Sequence, residues 1–221
     1  MSPIRVICWG GTGHARVLNE ALQALGHSIA LFVDNRKIPS PVLDVPIVEG
    51  MQGLNEWLAA SLDRELWCVA AIGGNRGKDR VRLLDCMAQL GLRPLTVLHP
   101  SAYVASDTAI GDGSHVLAMA TVCSCARLGR GVIVNTAASV DHDCALDDGV
   151  HIGPGARLCG EVSVAREAFV GAGAVVLPRV KLGAGSIVGA GAVVTRDVAP
   201  GQTVVGCPAR PIVERATDGK G

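Results

Sequence analysis

The residue best suited to acid–base chemistry is a histidine between two aspartates, in the run Asp141-His142-Asp143. A carboxylate beside an imidazole fixes its tautomer and raises its basicity. An imidazole with a pKa near neutrality can take a proton from an attacking amine or hydroxyl. The pattern therefore predicts His142 as a general base, oriented by a nearby carboxylate. The alternative is a solvated surface histidine without a catalytic role.

A second set of residues, near the start of the chain, suits phosphate binding. Residues 4–9 are predicted as a buried strand, and GGTGHA (10–15) follows as a glycine-rich turn that leads into a helix. Free backbone N–H groups and the helix dipole at such a turn attract an anion. Asp34, at the end of the next predicted strand, is placed to accept hydrogen bonds from a ribose. The later run AIGGNRGKDR (71–80) repeats this arrangement, so Gly73 is expected to approach the same ligand.

The glycine turn matches the full dinucleotide fingerprint poorly. In G-x-G-x-x-G the third glycine packs the helix closely on the strand, but here Gly11 and Gly13 are followed by Arg16. We therefore expect a nucleotide of some kind, and an NAD oxidoreductase is a weaker alternative. Glycines that serve only a tight turn are the remaining explanation.

The second half of the chain is organised by a six-residue period. From Val104 to Val194 every sixth residue is Val, Ile or Leu, sixteen times in succession, and a small residue follows four positions after each. This period fits neither a helix nor an ordinary strand. It is typical of a hexapeptide-repeat parallel β-helix with three hexapeptides per coil, in which both sets of residues point inward.

The period also shows which way the candidate residues face. His142 lies two positions after the inward Val140 and is predicted to face outward. Cys144 fills an inward position, which argues against a Cys–His nucleophilic pair. His151 follows His142 by nine residues, which is half a coil. The two histidines are therefore expected on different sides of the β-helix, where they would converge most easily across a subunit interface.

Zinc coordination is disfavoured. His115 and His151 are thirty-six residues apart, two whole coils, which resembles the spacing in γ-class carbonic anhydrases. Those enzymes have a third histidine five residues later, and that position is Ala156 here. No metal site is predicted.

The N-terminal part is predicted to be a Rossmann-like α/β domain over residues 1–100, and residues 101–221 a β-helix domain with a C-terminal tail. In the first of these, strands and helices alternate. The predicted strands cover 4–9, 29–33, 66–72 and 94–98, and the predicted helices cover 16–25, 51–62 and 78–90.

Composition excludes several classes of function. Twenty basic and twenty acidic residues give a formal net charge of zero, which argues against nucleic-acid binding. No apolar run approaches the ~20 residues needed to cross a bilayer, and the first residues do not form a signal peptide. The eight cysteines are scattered and expected to be reduced, which favours a cytoplasmic protein.

Taken together, these segments resemble one branch of the hexapeptide-repeat acyltransferases. The branch comprises bacterial sugar acetyltransferases such as the bacillosamine-pathway N-acetyltransferase and the sialic-acid O-acetyltransferases. The resemblance covers nearly the whole chain. It rests on GGTGHA (10–15), FVDN (32–35), AIGGN (71–75), VLHPSA (97–102), VNTAASVDHDC (134–144) and GCPAR (206–210).

The resemblance implies a left-handed β-helix, a homotrimer, and acetyl-CoA as co-substrate. It matches His142 to the family's general base and Asp143 to its acidic neighbour, which is Glu in the bacillosamine enzyme. The residues that it assigns to the nucleotide sugar are Thr12, Gly13, His14, Asp34, Asn35 and Gly73. Those that it places near acetyl-CoA, in the groove between neighbouring β-helices, are His151, Gly160, Ala172 and Ala190.

We therefore expect acetyl-CoA-dependent N-acetylation of a nucleotide-linked amino sugar by direct attack, with His142 as the base. His151 or a backbone N–H is expected to donate hydrogen bonds to the oxyanion that forms. A sugar O-acetyltransferase of the sialic-acid type is the nearest alternative, and a non-catalytic nucleotide-sugar-binding protein is the alternative of another class. The nucleotide base, the sugar and the acetylated position stay open.

Overall fold

Alternating strands and helices build the N-terminal part of the chain. The computed structural model describes residues 3–62 and 65–212. The strands here are β1 (Arg5–Trp9), β2 (Ser28–Asp34), β3 (Ile47–Glu49), β4 (Trp67–Ala70) and β5 (Arg93–Pro94), and the helices are α1 (Gly13–Ala24), α2 (Gly50–Ala60) and α3 (Gly77–Gln89). The sheet has the order β3-β2-β1-β4-β5 with parallel pairings throughout. This confirms the predicted Rossmann-like α/β domain.

The rest of the described chain forms three sheets of short strands, which are the three faces of a parallel β-helix. The first face consists of β6 (Val97–Leu98), β9 (His115–Val116), β12 (Ile133–Val134), β15 (His151–Ile152), β18 (Phe169–Val170), β21 (Ile187–Val188), β23 (Thr203–Val205) and β24 (Arg210–Pro211). The second consists of β7 (Tyr103–Val104), β10 (Thr121–Val122), β13 (Ser139–Val140), β16 (Arg157–Leu158), β19 (Val175–Val176) and β22 (Val193–Val194). The third consists of β8 (Ala109–Ile110), β11 (Arg127–Leu128), β14 (Ala145–Leu146), β17 (Ser163–Val164) and β20 (Lys181–Leu182).

The six-residue period makes the core of the β-helix. Val122, Val140 and Leu158 pair in register on successive coils, and each is at most 1% exposed. The small residues fill the corners inside, where Cys144 and Ala156 are both 0% exposed. Stacking at about 4.8 Å gives each inward side chain a like neighbour above and below, which excludes water along the whole axis. The predicted hexapeptide architecture is confirmed, with Cys144 inward.

The junction between the two parts differs from the prediction. The expected strand 94–98 is wrong as a single element: the N–H of Leu95 donates to the carbonyl of Cys68 in the N-terminal sheet, whereas the N–H of Val97 donates to that of Ser114 in the β-helix. The chain changes sheets within three residues and without a glycine or proline between them, so the sequence carries no signal of the break. The domain boundary after residue 100 stays a prediction, although β-helix pairing already begins at Val97.

The N-terminal domain covers the first face of the β-helix. Ala15, Leu18 and Leu22 lie on one side of α1 at helical spacing, and they form one buried cluster with Leu117 and Ile133 of the first face. The two parts therefore share a hydrophobic core. In a three-sided β-helix, the edge between the second and third faces lies opposite this covered face.

Helix α3 lies along the edge where the third face turns into the first. Leu84 packs on Gly113, and a Cβ added to Gly113 would lie 2.6 Å from Cδ1 of Leu84. One helical turn earlier, Arg80 donates hydrogen bonds to the carbonyls of Gly131 and Gly149. These glycines follow one another at intervals of one coil and have φ values of 70°, 60° and 71°. One helical turn of about 5.4 Å nearly matches one coil of about 4.8 Å, so successive turns of α3 meet successive glycines.

None of the three helices in the described residues is long and apolar enough to span a membrane. Strands β23 and β24 pair antiparallel at the far end of the first face. The predicted tail beyond residue 212 lies outside the described residues.

Candidate active site

His142 and Asp143 lie in the loop 141–144, which joins β13 of the second face to β14 of the third. The stacked loops 123–126 and 159–162 continue the same edge, which we call the histidine edge. It is the edge opposite the face that the N-terminal domain covers. The side chains of His142 and Asp143 are 55% and 58% exposed, so this edge is open to solvent in the single chain.

The imidazole of His142 is held by its neighbour in the sequence. Its Nδ1 lies 2.9 Å from Oδ2 of Asp143. Because an ionised carboxylate only accepts, Nδ1 donates a proton to it, and in the neutral ring Nε2 keeps a free lone pair. Consecutive side chains of a strand point to opposite sides, but Asp143 has a φ of 58°, and this turn brings the two side chains together.

Negative charge around this ring raises the pKa of His142. The hydrogen bond to Asp143 is the largest cause, and the carboxylates of Asp141 and Glu161 add to it. Asp141 itself accepts the backbone N–H of His142 at 2.7 Å. It therefore holds the loop, whereas Asp143 holds the ring.

Gly160 lies one coil above His142 and forms the surface on which the ring rests. A Cβ added to Gly160 would lie 2.5 Å from Cε1 of the imidazole and nearer still to Nε2. A larger residue there would push the ring away from Asp143. The family resemblance implies a place near acetyl-CoA for Gly160, and the contact with His142 gives a second reason for a glycine at this position.

A cleft of about 360 Å³ opens at the carboxyl ends of the N-terminal strands. Four of the residues assigned to the nucleotide sugar line it: Thr12, Asp34, Asn35 and Gly73. Gly13 is the first residue of α1, so the N–H groups of the first turn, which lack intrahelical acceptors, lie at this end of the sheet. The other lining residues are Trp9, Gly10, Arg36, Ala71, Ile72, Arg76 and Leu83.

Two of those further residues, Arg36 and Arg76, bring positive charge to the cleft. Their side chains are 64% and 62% exposed. Arg36 is paired with Asp34 at 2.9 Å and Arg76 with Asp79 at 2.8 Å, so their remaining N–H donors, together with the helix N-terminus, favour an anion such as a diphosphate here. Arg36 directly follows FVDN (32–35) and Arg76 lies within AIGGNRGKDR (71–80), but neither arginine was predicted as a ligand contact.

The carboxylate of Asp34 is already paired. Its Oδ1 accepts from the backbone N–H and Nε of Arg36, at 3.1 and 2.9 Å, and its Oδ2 accepts from Nη2 of Arg36 and the N–H of Gly11, at 3.2 and 3.0 Å. The hydrogen bonds from the Arg36 side chain are the main reason why the pKa of Asp34 is lowered. A ribose hydroxyl would have to share these oxygens, so the expected ribose contact stays a prediction.

His14 points away from the cleft. Its ring lies 5.7 Å from the ring of His115, centroid to centroid, on the first face of the β-helix. Burial lowers the pKa of His14 to about 4, so it is neutral. Among the described residues, those that line the cleft do not include it. The structure thus gives His14 a place between the two domains, where the sequence could not distinguish it from a ligand contact.

His151 lies on the first face, on a different side of the β-helix from His142, as the half-coil spacing predicted. It is 5% exposed, with Nδ1 3.2 Å from the carbonyl oxygen of Gly74 and Nε2 3.1 Å from Nδ2 of Asn135. A carbonyl only accepts, so Nδ1 carries the proton and Nε2 is an acceptor. Burial lowers the pKa of His151 to about 3, which keeps the ring neutral.

This arrangement disfavours His151 as the oxyanion donor, one of the two donors that the sequence suggested. An oxyanion needs a donor, but the single N–H of His151 is bonded to Gly74, and Nε2 has no proton to give. In the described chain the N-terminal domain also covers the ring. The other expected donor, a backbone N–H, stays a prediction, and the bond of His151 to Gly74, 77 positions away, could not be read from the sequence.

The remaining residues assigned to acetyl-CoA fall on a third part of the β-helix. Ala172 and Ala190 are exposed, one coil apart, on the edge where the first face turns into the second. Gly160 lies on the histidine edge, and His151 lies under the N-terminal domain. One chain therefore does not bring these four residues together. No group of three or more His, Cys, Asp or Glu side chains in the described residues is arranged to hold a metal ion.

Comparison with protein families gives two matches. The PglD N-terminal domain matches residues 5–82, which cover the nucleotide cleft apart from Leu83. The bacterial transferase hexapeptide (six repeats) matches residues 161–196, within the β-helix. A comparison with curated protein sequences found no match.

Solved structures extend this similarity over the whole chain. Perosamine N-acetyltransferase from Caulobacter crescentus, a histidine-to-asparagine variant in complex with CoA and GDP-perosamine, is 37% identical, with a TM-score of 0.88 over 95% of this chain and 97% of that one. The acetyltransferase domain of PglB from Neisseria gonorrhoeae, in complex with acetyl coenzyme A, is 37% identical, with a TM-score of 0.85 over 96% and 100%. WeeI from Acinetobacter baumannii is 25% identical, with a TM-score of 0.81 over 95% and 100%.

The same group of proteins thus matches both the glycine-turn domain and the six-residue repeats. The sequence identity is higher than a shared fold alone would require. The protein belongs to the hexapeptide-repeat acetyltransferases that carry a PglD-type N-terminal domain.

Proposed function

We propose that this protein transfers the acetyl group of acetyl-CoA to the amino group of a nucleotide-linked amino sugar. The observation that carries the proposal is the state of His142: Nδ1 is bonded to Asp143, Nε2 is free to accept a proton, and the ring is open to solvent. The relatives support the two substrate classes. The Caulobacter crescentus enzyme holds CoA and GDP-perosamine, and the Neisseria gonorrhoeae domain holds acetyl coenzyme A.

In the proposed reaction the sugar nitrogen attacks the thioester carbonyl carbon, so that a C–N bond forms and the C–S bond breaks. Nε2 of His142 takes one proton from the nitrogen, and the histidinium returns it to the sulfur that leaves as CoA. Asp143 stabilises the positive ring between these two transfers. General-base catalysis of this kind contributes about 10²–10⁴-fold. Since the N–H of His151 is engaged, we assign stabilisation of the oxyanion to backbone N–H groups of the histidine edge.

The nucleotide part of the acceptor is proposed to occupy the N-terminal cleft. The N-terminus of α1, together with Arg36 and Arg76, suits its diphosphate, and Thr12, Asn35 and Gly73 line the same cleft. Asp34 is proposed to orient Arg36 and to share its carboxylate with the ribose. Gly13 contributes its backbone, and we leave His14 out of this site.

Two chains are needed to complete the site. The N-terminal cleft lies on the side of the first face, whereas His142 lies on the opposite edge, so the cleft of one chain cannot be served by its own His142. We therefore propose the homotrimer of left-handed β-helices that the family resemblance implies. In such an assembly the histidine edge of one chain, with Gly160, meets a neighbour's edge, with Ala172 and Ala190, and acetyl-CoA lies in the groove between them.

We propose a cytoplasmic location, which is supported by the eight cysteines, all of them free thiols. The proposed division into domains is 1–100 for the nucleotide sugar and 101–221 for acetyl transfer.

The first test measures release of CoA thiol from acetyl-CoA with GDP-, UDP-, dTDP- and CMP-linked amino sugars and with their hydroxyl counterparts. The eight thiols of the protein require a blank without acceptor. Release that depends on the amine supports the proposal. Release with hydroxyl acceptors alone would make the protein an O-acetyltransferase, and no release with any acceptor would leave a nucleotide-sugar-binding protein.

The second test addresses the shared site by mixing two inactive variants. His142→Ala lacks the base, and Thr12→Trp fills the cleft. If base and cleft come from different chains, random co-assembly of an equal mixture leaves about one quarter of the sites with an intact base from one chain and an intact cleft from its neighbour. Up to about one quarter of wild-type activity should then return. If both come from one chain, every site has a defect and no activity returns.

A further inference from the structure

Arg80 is a charged side chain without a charged partner. It is 0% exposed, and its Nε, Nη1 and Nη2 each donate at 2.6 Å to a carbonyl oxygen, those of Gly131, Ile72 and Gly149 respectively. A fourth contact, to the carbonyl of Val150, is 3.3 Å long. The ion pairs of the described residues do not include Arg80. Burial lowers the pKa of its guanidinium to about 10, which still leaves it charged at neutral pH.

Such a residue is expensive to bury, and backbone carbonyl dipoles alone offset the cost. Its three nitrogens reach in three directions, to two successive coils of the β-helix and to the end of β4. A lysine could make only one of these connections well, because its charge sits on a single nitrogen. The arrangement therefore connects three pieces of backbone in a fixed geometry.

The piece that Arg80 connects to the β-helix is the loop 71–76, which lines the nucleotide cleft. The carbonyl of Ile72 accepts from Arg80, and the carbonyl of Gly74 accepts from Nδ1 of His151. Gly73, between them, faces the cleft and is held on both sides. Both anchors are side chains from outside the loop, and both donate hydrogen bonds to backbone carbonyls within it.

We propose that Arg80 is a positioning residue of the nucleotide site. It fixes the loop 71–76 against the β-helix, so that Gly73 and Arg76 stay at the distance and orientation that the diphosphate requires. The inference rests on the proposed function, because the ligand concerned is the nucleotide part of that acceptor. Arg80 acts through the loop and does not touch the ligand itself.

The test compares Arg80→Lys and Arg80→Met with the wild-type protein. Arg130→Ala is the matched control, since Arg130 also joins α3 to the β-helix, through Asp85 at 2.6 Å, but at an exposed place outside the loop. Calorimetry gives the Kd of GDP, UDP and dTDP, and steady-state assays give KM for the nucleotide sugar and for acetyl-CoA. A displaced loop is expected to weaken nucleotide binding about 10- to 100-fold in both Arg80 variants.

KM for acetyl-CoA is expected to stay within about twofold, and Arg130→Ala is expected to bind nucleotide as the wild type does. A purely structural role would instead lower Tm and change both KM values together, and it would overturn the inference. So would unchanged nucleotide binding in both Arg80 variants, or loss of folding in both. The two failures are distinguishable: a wild-type protein that binds nucleotide as tightly as both Arg80 variants overturns only this inference, whereas a wild-type protein that releases no CoA with any amino-sugar acceptor overturns the proposed function.

Discussion

Gly160 offers a direct test of how His142 is held. A Cβ at this position would lie 2.5 Å from Cε1 of the ring, well inside van der Waals contact. Gly160→Ala is therefore expected to swing the imidazole off Asp143 while leaving the coil intact, since the backbone here does not need a positive φ. Gly160 is buried beneath the ring, but the ring is 55% exposed and can move aside, so we expect Tm to stay within about 2 °C of the wild type.

The size of the effect follows from what the ring loses. Complete removal of the base, in His142→Ala, should reduce turnover by about 10²–10⁴-fold. Gly160→Ala retains the imidazole but without its fixed tautomer and position, so its loss should approach that of His142→Ala without exceeding it. A reduction of at least about tenfold in kcat is expected, with little change in the KM for the nucleotide sugar.

A double-mutant cycle separates this mechanism from others. If Gly160→Ala acts only through the ring, it should cost nothing further once His142 is alanine, so the double variant should match His142→Ala in kcat. Independent losses that multiply would show that Gly160 acts on acetyl-CoA directly. A single variant with wild-type kcat would refute the contact as a determinant of catalysis.

Three further outcomes are expected. Asp143→Asn removes the largest cause of the raised pKa of His142, so the acid limb of the kcat/KM profile should move to lower pH and the plateau should fall; an unmoved limb would mean that another carboxylate sets this pKa. The buried rings of His14, His115 and His151 stay neutral in the folded protein, with the pKa lowered to about 4 for His14 and about 3 for His151. The unfolded chain gains a proton at each below about pH 6.5, so urea titrations should show stability falling from pH 6.5 towards 4 by about 1.4 kcal/mol per pH unit for each histidine, and His115→Leu should reduce this slope. Gly77→Ala should lower Tm although alanine favours helices, because its Cβ would meet the Gly149 carbonyl; a raised Tm would refute the close docking of α3.

Much of the fold could be predicted because short stretches of sequence determine it. In the β-helix the residue type at every sixth position decides which side chains point inward, and strand alternation in the N-terminal part decides the parallel sheet. The prediction of a single strand over 94–98 was wrong because long-range pairing determines this segment. Leu95 and Val97 bond to different sheets, and the acceptors that separate them, on Cys68 and Ser114, are distant in sequence.

The same distinction explains the site. His142 and Asp143 are neighbours, so their pairing was readable from the run itself. Arg80 could not be assigned, because its partners are backbone carbonyls, which every residue has, on coils as far as 69 and 70 positions away. The sequence did hold one indication of where Arg80 lies. Gly113, Gly131 and Gly149 recur at the interval of one coil, on the edge where α3 packs against the β-helix.

The histidine edge differs from that glycine edge in a way that bears on function. The tight turn at each corner needs a residue with positive φ, and on the edge beneath α3 glycine fills this place at 113, 131 and 149. On the histidine edge the equivalent places hold Cys125, Asp143, Glu161 and Arg179, with φ values of 59°, 58°, 62° and 64°. A non-glycine residue there costs roughly 1–2 kcal/mol in each coil. Glycine would avoid that cost but could not supply a side chain, and at 143 the side chain is the carboxylate that orients the base. Non-glycine residues with positive φ also occur on the other two edges, at Met119, Ala137 and Glu167, so what distinguishes the histidine edge is the carboxylate that residue 143 supplies and not the strain itself.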